Sequence, residues 1–178
     1  QVNAAGKDYY VNDVNTTDDL FTNVVGDNDQ SGLSPDAPME SLYALLQAYD
    51  LGSGDTVYVD TGDYLLYRNL LVDATDAGVR FVGPGSDAAG SASLNRDNFN
   101  SDAYVFELID ADGTIFEGLS ITGGDYGVFA ENDQDSDNVT LVDNDIFDNN
   151  RSGIQAENGN DGWTITDNRI YTSSRTQF

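Results

Sequence analysis

The 178-residue sequence has no cysteine and no histidine, one methionine, one tryptophan, three prolines, and seven lysines and arginines against 32 aspartates and glutamates. Without cysteine there is no disulfide framework and no thiol chemistry; without histidine the commonest general base and metal ligand is missing. The shortage of positive charge, a formal net −25, removes the cationic footprint that nucleic acid or an anionic membrane surface would need. No apolar run reaches the roughly 18 residues of a membrane-spanning helix, so no membrane insertion is expected. The chain opens on Gln1 and its single methionine is Met39, as expected of a processed product or an excised piece.

What is present is enough to fold. Hydrophobic residues make up 39% of the chain, with ten tyrosines and eight phenylalanines, which sets it apart from a disordered acidic tail and predicts one domain over residues 1–178. Self-repulsion among the carboxylates predicts stabilisation by salt or calcium. That charge balance suits a secreted or cell-surface protein of a marine, halophilic or otherwise ion-rich environment. Ca2+ is the implied cofactor, and no organic cofactor is called for.

Leu42, Leu45, Leu46 and Tyr49 fall at i, i+3, i+4 and i+7, which predicts one helix over 38–50, with Ser34 or Asp36 as its cap and Gly52 or Gly54 as its end. After it come short β-branched or aromatic stretches separated by Gly, Asn and Asp: 55–60, 78–83, 103–109, 113–122, 126–131, 139–147, 152–157 and 163–171. They repeat in register. At an offset of 24, Val139 falls on Trp163, Leu141 on Ile165, Asn144 on Asn168, Ile146 on Ile170, Phe147 on Tyr171 and Ile154 on Phe178. At 25, Phe116 falls on Leu141 and Ile121 on Ile146. In-register repeats of this length, with turns too short for helices, predict a solenoid that closes on itself and stacks at the β spacing, an all-β right-handed parallel β-helix.

That fold assigns 1–54 to an N-terminal cap of one strand and one short helix, and 55–178 to about five coils, the last incomplete. Val139, Leu141, Ile146, Ile154 and their counterparts Trp163, Ile165, Ile170 and Phe178 should point inward, and Thr140, Asp145, Thr164 and Arg169 outward. Asn144 over Asn168 reads as a structural asparagine ladder at a left-handed turn position, starting in the fourth coil because Leu119 holds the place above. Phe178 leaves the last coil unfinished. The expectation is that the natural chain continues, or that another copy pairs head to tail with the open edge.

The stretches "DYYV" (8–11), "GDNDQSGLSPDAP" (26–38), "SLYALL", "GDTVYVDTGDY" (54–64) and "EGLSITGG" (117–124) together resemble the N-terminal region of right-handed parallel β-helix proteins of the pectate-lyase-like superfamily. The resemblance implies the fold for nearly the whole chain. Its members include polysaccharide lyases and epimerases that act on uronate polymers by calcium-assisted β-elimination with a Lys or Arg base, and repeats with no known activity. No residue here matches the catalytic motif of those lyases, and the catalytic residues remain unknown.

Candidate chemistry rests on a few clusters. Asp27, Asp29 and Ser31 alternate before Gly32 like the opening of a calcium loop, but Pro38 stands where the bidentate Glu belongs. Asp133, Asp135 and Asp137 alternate in the loop before the fourth coil, a second candidate metal set set against a plain solvated loop. Arg151 over Arg175 is the one basic pair and a candidate contact for an anionic sugar, with ion pairing to carboxylates such as Asp148 as the alternative. Asp143 and Asp145 are the pair to weigh for glycosidase chemistry. Tyr9, Tyr10, Tyr64, Tyr67 and Tyr126 are candidates for sugar stacking or for the core. Asn15, Asn138 and Asn150 sit in Asn-x-Ser/Thr triplets.

Two functions follow as expectations. The first is a non-catalytic extracellular β-helical module of a larger secreted or cell-surface protein, adhesive, structural or carbohydrate-binding. The second is the N-terminal part of a polysaccharide lyase or epimerase. The composition leans away from catalysis.

Overall fold

The computed structural model describes residues 6–86 and 88–173. Its strands fall into three parallel sheets that wind as one coil. The first sheet runs in the order β1 (Asp8–Val11), β2 (Thr56–Val59), β5 (Arg80–Val82), β8 (Ile115–Glu117), β11 (Thr140–Val142), β14 (Thr164–Thr166). The second holds β3 (Gly62–Leu65), β6 (Ala92–Asn95), β9 (Ser120–Thr122), β12 (Asp145–Phe147) and β15 (Arg169–Tyr171). The third holds β4 (Leu70–Asp73), β7 (Tyr104–Ile109), β10 (Tyr126–Ala130) and β13 (Ser152–Ala156). Four coils of three strands are thus followed by two strands of a fifth.

Every strand-to-strand pairing is parallel, which places like positions above one another along the axis. Val57, Phe81, Phe116 and Leu141 form one inward column, all fully buried. Tyr64, Leu94, Ile121 and Ile146 form the second, and Leu70, Phe106, Val128 and Ile154 the third. Phe81 and Phe116 stack at 5.5 Å and 10°, and Phe106 tilts against both. The columns fill the narrow interior with side chains rather than leaving a bore.

The inward assignments of Val139, Leu141 and Ile146 hold at full burial. Ile154 and Trp163 are partly buried against the core. Ile165 and Ile170 occupy the same register positions one rung on, but are 47% and 50% exposed, as members of the last described rung. Phe178 lies outside the described residues. The sequence windows 113–122, 139–147 and 163–171 each split into two strands around a tight corner, and β3, β4 and β6 have no counterpart among the predicted stretches.

β1 lies on β2 as an extra rung, and Met39 bridges to Val11 above it. The helix α1 spans only Leu42–Ala48, and its cap is Ser41, whose Oγ accepts from the Ala44 N–H at 3.3 Å. It is shorter than the 38–50 window because Met39 is held extended, its N–H on the Tyr10 carbonyl and its carbonyl on the Asn12 N–H. Leu42, Leu45 and Leu46 are buried as the spacing predicts, closing the apolar end of the first coil.

The corners are held from one coil to the next by side chains that replace backbone partners. Asn144 Oδ1 accepts from the Leu119 N–H at 3.0 Å, and its Nδ2 donates to the Phe116 carbonyl at 2.9 Å. Asn168 repeats this on the Asn144 N–H and the Leu141 carbonyl. The left-handed residue is not the asparagine, as the sequence suggested, but the residue before it: Gly118, Asp143 and Asp167, with φ of 66°, 54° and 57°. The ladder does begin in the fourth coil at Asn144, with Leu119 in the place above it.

Candidate functional site

Coil two differs from its neighbours by two long loops on either side of β6. The first, with described residues 83–86 and 88–91, leaves β5 and runs along the corner of the coils below it. Gly83 and Gly85 donate to the Glu117 and Gly118 carbonyls at 2.8 and 3.0 Å, and Ser86 Oγ reaches Asp143 in the fourth coil at 2.7 Å. A Cβ on Gly83 would stand 2.3 Å from the Gly118 carbonyl oxygen, so this close approach needs glycine. The second loop, 96–103, runs down the other edge. Arg96 and Asn98 donate to the Thr122 and Gly123 carbonyls, and Asn150 and Arg151 in the fourth coil reach the Phe99 carbonyl and Ser101.

Between these two arms lies the outer face of the second sheet, turned into a trough. Its floor is two columns of outward side chains: Ser93, Ser120, Asp145 and Arg169, and beside them Asn95, Thr122, Phe147 and Tyr171. A cleft of about 220 Å³ opens against the first arm, lined by Gly85, Ser86, Gly90, Ser91, Ser120 and Asp145 among others. Ser120 and Thr122 are 7% and 8% exposed, whereas Tyr171, in the last described rung, is 43% exposed. Phe147 and Tyr171 stack at 5.4 Å and 11°. Arg169 lies over the Tyr171 ring and forms a two-pronged ion pair with Asp145, its Nε 2.6 Å from Oδ1.

The carboxylates weighed for glycosidase chemistry line this cleft but are already engaged, Asp143 with Ser86 and Asp145 with Arg169. The described arginines are engaged as well. Arg80 pairs with Glu117, Arg96 donates to Asn69 and the Leu66 carbonyl, and Arg68 lies over Tyr43. Hydrogen bonding to Asp145 holds the Arg169 guanidinium above its ordinary value. A hydrogen bond to Tyr126, then the Asp125 charge, does the same for Arg151. A guanidinium held above its ordinary value keeps its proton, so it is less available as a base.

Arg151 is not a free sugar contact. Its Nε lies 3.4 Å from Asp125 Oδ2, and the guanidinium covers the Tyr126 ring at 5.8 Å. The ion-pair partner is therefore Asp125 rather than the suggested Asp148, because the corner turns the Asp125 carboxylate, 2% exposed, directly under the arginine. Arg175 lies outside the described residues. Tyr126 forms an outer aromatic cluster with Tyr104 and Phe129, at ring distances of 4.3 to 5.7 Å. Of the other tyrosines, Tyr9 and Tyr64 are core residues, Tyr10 stacks on Tyr58, and Tyr67 stands 82% exposed.

The two acidic sets do not converge. Asp27 Oδ1 accepts from the Asp29 N–H and Ser31 Oγ from the Leu33 N–H, so this stretch is a series of local turns. Asp137 belongs to a column: its N–H donates to Asp112 Oδ1 at 2.7 Å and its Oδ1 accepts from the Asp161 N–H at 2.5 Å. Asp133 accepts instead from the Asn132 amide, and Asp135 is exposed, its carboxyl raised chiefly by the Asp137 charge. Among the described residues no group of three or more acidic side chains is arranged to hold a metal ion. No helix among them is long and apolar enough to cross a membrane.

The family model for the right-handed β-helix region matches residues 51–177. The chain belongs to the right-handed β-helix family. The match starts where the first coil starts and is consistent with the pectate-lyase-like resemblance of the cap and early coils. No curated protein and no solved structure gives a significant match. Within this right-handed β-helix, sequence reasoning located the Asn144–Asn168 ladder but missed two further corner supports. Asn149 Oδ1 accepts from the Gly124 N–H and Asn160 Oδ1 from the Ser136 N–H. Asn160 lies 24 residues after Ser136, the same offset as the ladder, and that spacing was the available signal.

Proposed function

We propose that this right-handed β-helix is a non-catalytic module of a larger secreted or cell-surface protein that holds a polysaccharide in the trough of its second sheet. One observation carries the reading: both long loops of coil two reach down to the fourth coil and wall the same face. A loop lengthened only to close a coil has no reason to run two coils along the axis. The engaged arginines support a binding role over elimination chemistry, which needs an uncommitted base. Salt or calcium stabilises the module by screening its carboxylate columns.

The test has two arms. The protein is incubated with polygalacturonate and alginate in calcium while the ultraviolet absorbance of unsaturated product is followed, and its migration is measured in gels containing soluble glycans. Flat absorbance with retardation by at least one glycan is expected. Rising absorbance would overturn the non-catalytic reading in favour of a lyase, and migration unaffected by every glycan would overturn the binding reading.

A further inference from the structure

We infer that Asn15 is the acceptor of an N-linked oligosaccharide, attached through its side-chain amide nitrogen. The inference rests on the extracellular part of the reading above and is independent of what the trough holds. Three Asn-x-Ser/Thr triplets occur in the chain, at 15–17, 138–140 and 150–152. A glycan on such an asparagine takes the place of one Nδ2 hydrogen and projects a bulky, hydrated chain from the surface. The acceptor therefore needs an exposed segment and an Nδ2 that the fold does not use. The hydroxyl two residues on, the other group the triplet specifies, must also be uncommitted to the rest of the fold.

The fold separates the three triplets. At Asn150, Nδ2 donates to Asp125 Oδ1 at 3.0 Å and to the Phe99 carbonyl at 3.3 Å, and the Ser152 hydroxyl donates to the Ile154 carbonyl at 2.7 Å. A sugar there would disturb the contacts that hold the corner. At Asn138, the middle residue Val139 is fully buried in the core and Thr140 is paired in β11 between β8 and β14. Asn138 Oδ1 also lies so close to the next coil that a Cβ on Gly162 would stand 2.6 Å from it. This triplet cannot lift off the stack to enter an enzyme's site.

Asn15 meets every condition. Residues 14–18 are exposed and lie outside any helix or strand. The segment is anchored on both sides, by Asp13 Oδ2 accepting from the Asp63 N–H at 3.2 Å and by Asp60 accepting from the N–H groups of Leu20, Phe21 and Thr22. Between these anchors the Thr17 N–H and hydroxyl both donate to Asn15 Oδ1, at 3.1 and 2.9 Å. That turn holds the amide oxygen and leaves Nδ2 without a partner among the described residues. The co-substrate is the oligosaccharyl pyrophosphate of a membrane lipid, brought by a transferase. The Nδ2–C1 bond forms as the sugar's C1–O bond breaks, the pyrophosphate leaves with the electron pair, and one amide proton passes to a base of the transferase. Val14 and Leu20 on the same loop are exposed apolar side chains, which a bulky hydrated glycan shields from other chains.

The test begins with the protein in the organism that makes it. Cell fractionation locates the chain, and peptide mass mapping before and after peptide N-glycosidase, which converts a glycosylated asparagine to aspartate, locates any sugar. The full chain is then exported from a glycosylating host as wild type, Thr17→Ala and Thr17→Ser, with circular dichroism to confirm the fold. An extracellular chain carrying a glycan at Asn15 is expected, with the glycan lost in Thr17→Ala and kept in Thr17→Ser. A chain found inside the cell would overturn the extracellular reading and the inference together. An extracellular chain unmodified at Asn15, or carrying sugar only at Asn138 or Asn150, would overturn the inference and leave that reading standing. Sugar that persists on Asn15 in Thr17→Ala would also overturn it, because the modification would not depend on the triplet.

Discussion

Asn168 Oδ1 accepts two hydrogen bonds from Asn144, one from its backbone N–H and one from its side-chain amide, both at 2.9 Å. Asn144 in turn holds the Leu119 N–H and the Phe116 carbonyl, and is 2% exposed. Asn144→Ala strands a buried donor and a buried acceptor in the middle of the stack. A loss of about 3 kcal/mol is expected, against about 1 kcal/mol for the more open Asn168→Ala, measured by urea unfolding.

The stack itself was legible because coils three to five repeat with few insertions, so Leu141 and Ile165, or Ile121 and Ile146, stay in phase in the sequence. Coils one and two are interrupted. The stretch 83–91 separates β5 from β6 and 96–103 separates β6 from β7, which hides β3, β4 and β6 from any fixed offset. The same insertions build the trough, so the segments that defeated the periodicity are the ones that shape the candidate site. The Arg151–Asp125 pair was illegible for a different reason: it joins neighbouring coils through a corner whose residues do not align by type.

Asp60 anchors the N-terminal segment to the first coil. Fully buried, its carboxylate accepts from the backbone N–H groups of Leu20, Phe21, Thr22 and Thr61 and from the Thr22 hydroxyl. Successive N–H groups wrapped on one anion form a nest. Asp60→Ala is expected to cost about 3 kcal/mol and to open the 18–24 segment to limited proteolysis. Cleavage there at the wild-type rate would sink the assignment.

Asp76 sets a pH dependence whose sign is opposite to that of a paired carboxylate. Its burial raises its affinity for a proton above the ordinary aspartate value, although the Leu51 N–H bonds it at 3.0 Å. The folded chain therefore binds more protons than the unfolded chain just above pH 3.8, and stability from this group falls as pH rises through that window. Asp76→Asn keeps an acceptor for Leu51 and removes the charge. It is expected to raise the unfolding midpoint at pH 7, with the advantage shrinking as the pH falls through the raised value and gone below 3.8.

Asp135 reports the repulsion along the acidic column. The side chain is exposed, and its carboxyl is raised chiefly by the Asp137 charge, with Asp112, Asp110 and Asp161 adding to it. Asp135→Asn is expected to raise the thermal midpoint at low ionic strength and to match the wild type in molar salt, where screening shortens the range of these charges to about 3 Å. A gain that persists unchanged at high salt would refute the electrostatic origin. Calcium that acts only as a screening ion would reproduce the salt curve at matched ionic strength.

The buried Asp125 depends on an exposed partner. Its Oδ1 accepts from the Asn150 amide at 3.0 Å, while Oδ2 has no hydrogen bond and only the Arg151 guanidinium at 3.4 Å. Arg151→Met keeps the apolar stem over the Tyr126 ring but leaves a buried charge without its counter-ion. Arg151→Met should therefore unfold at lower denaturant than the wild type at pH 7. Asp125→Asn combined with Arg151→Met should recover most of the loss, because the second substitution removes the charge that the first exposed. If the double variant is as weak as the sum of the two singles, the pair is not coupled and Arg151 holds the corner through its contacts with Tyr126 and Ser101 instead.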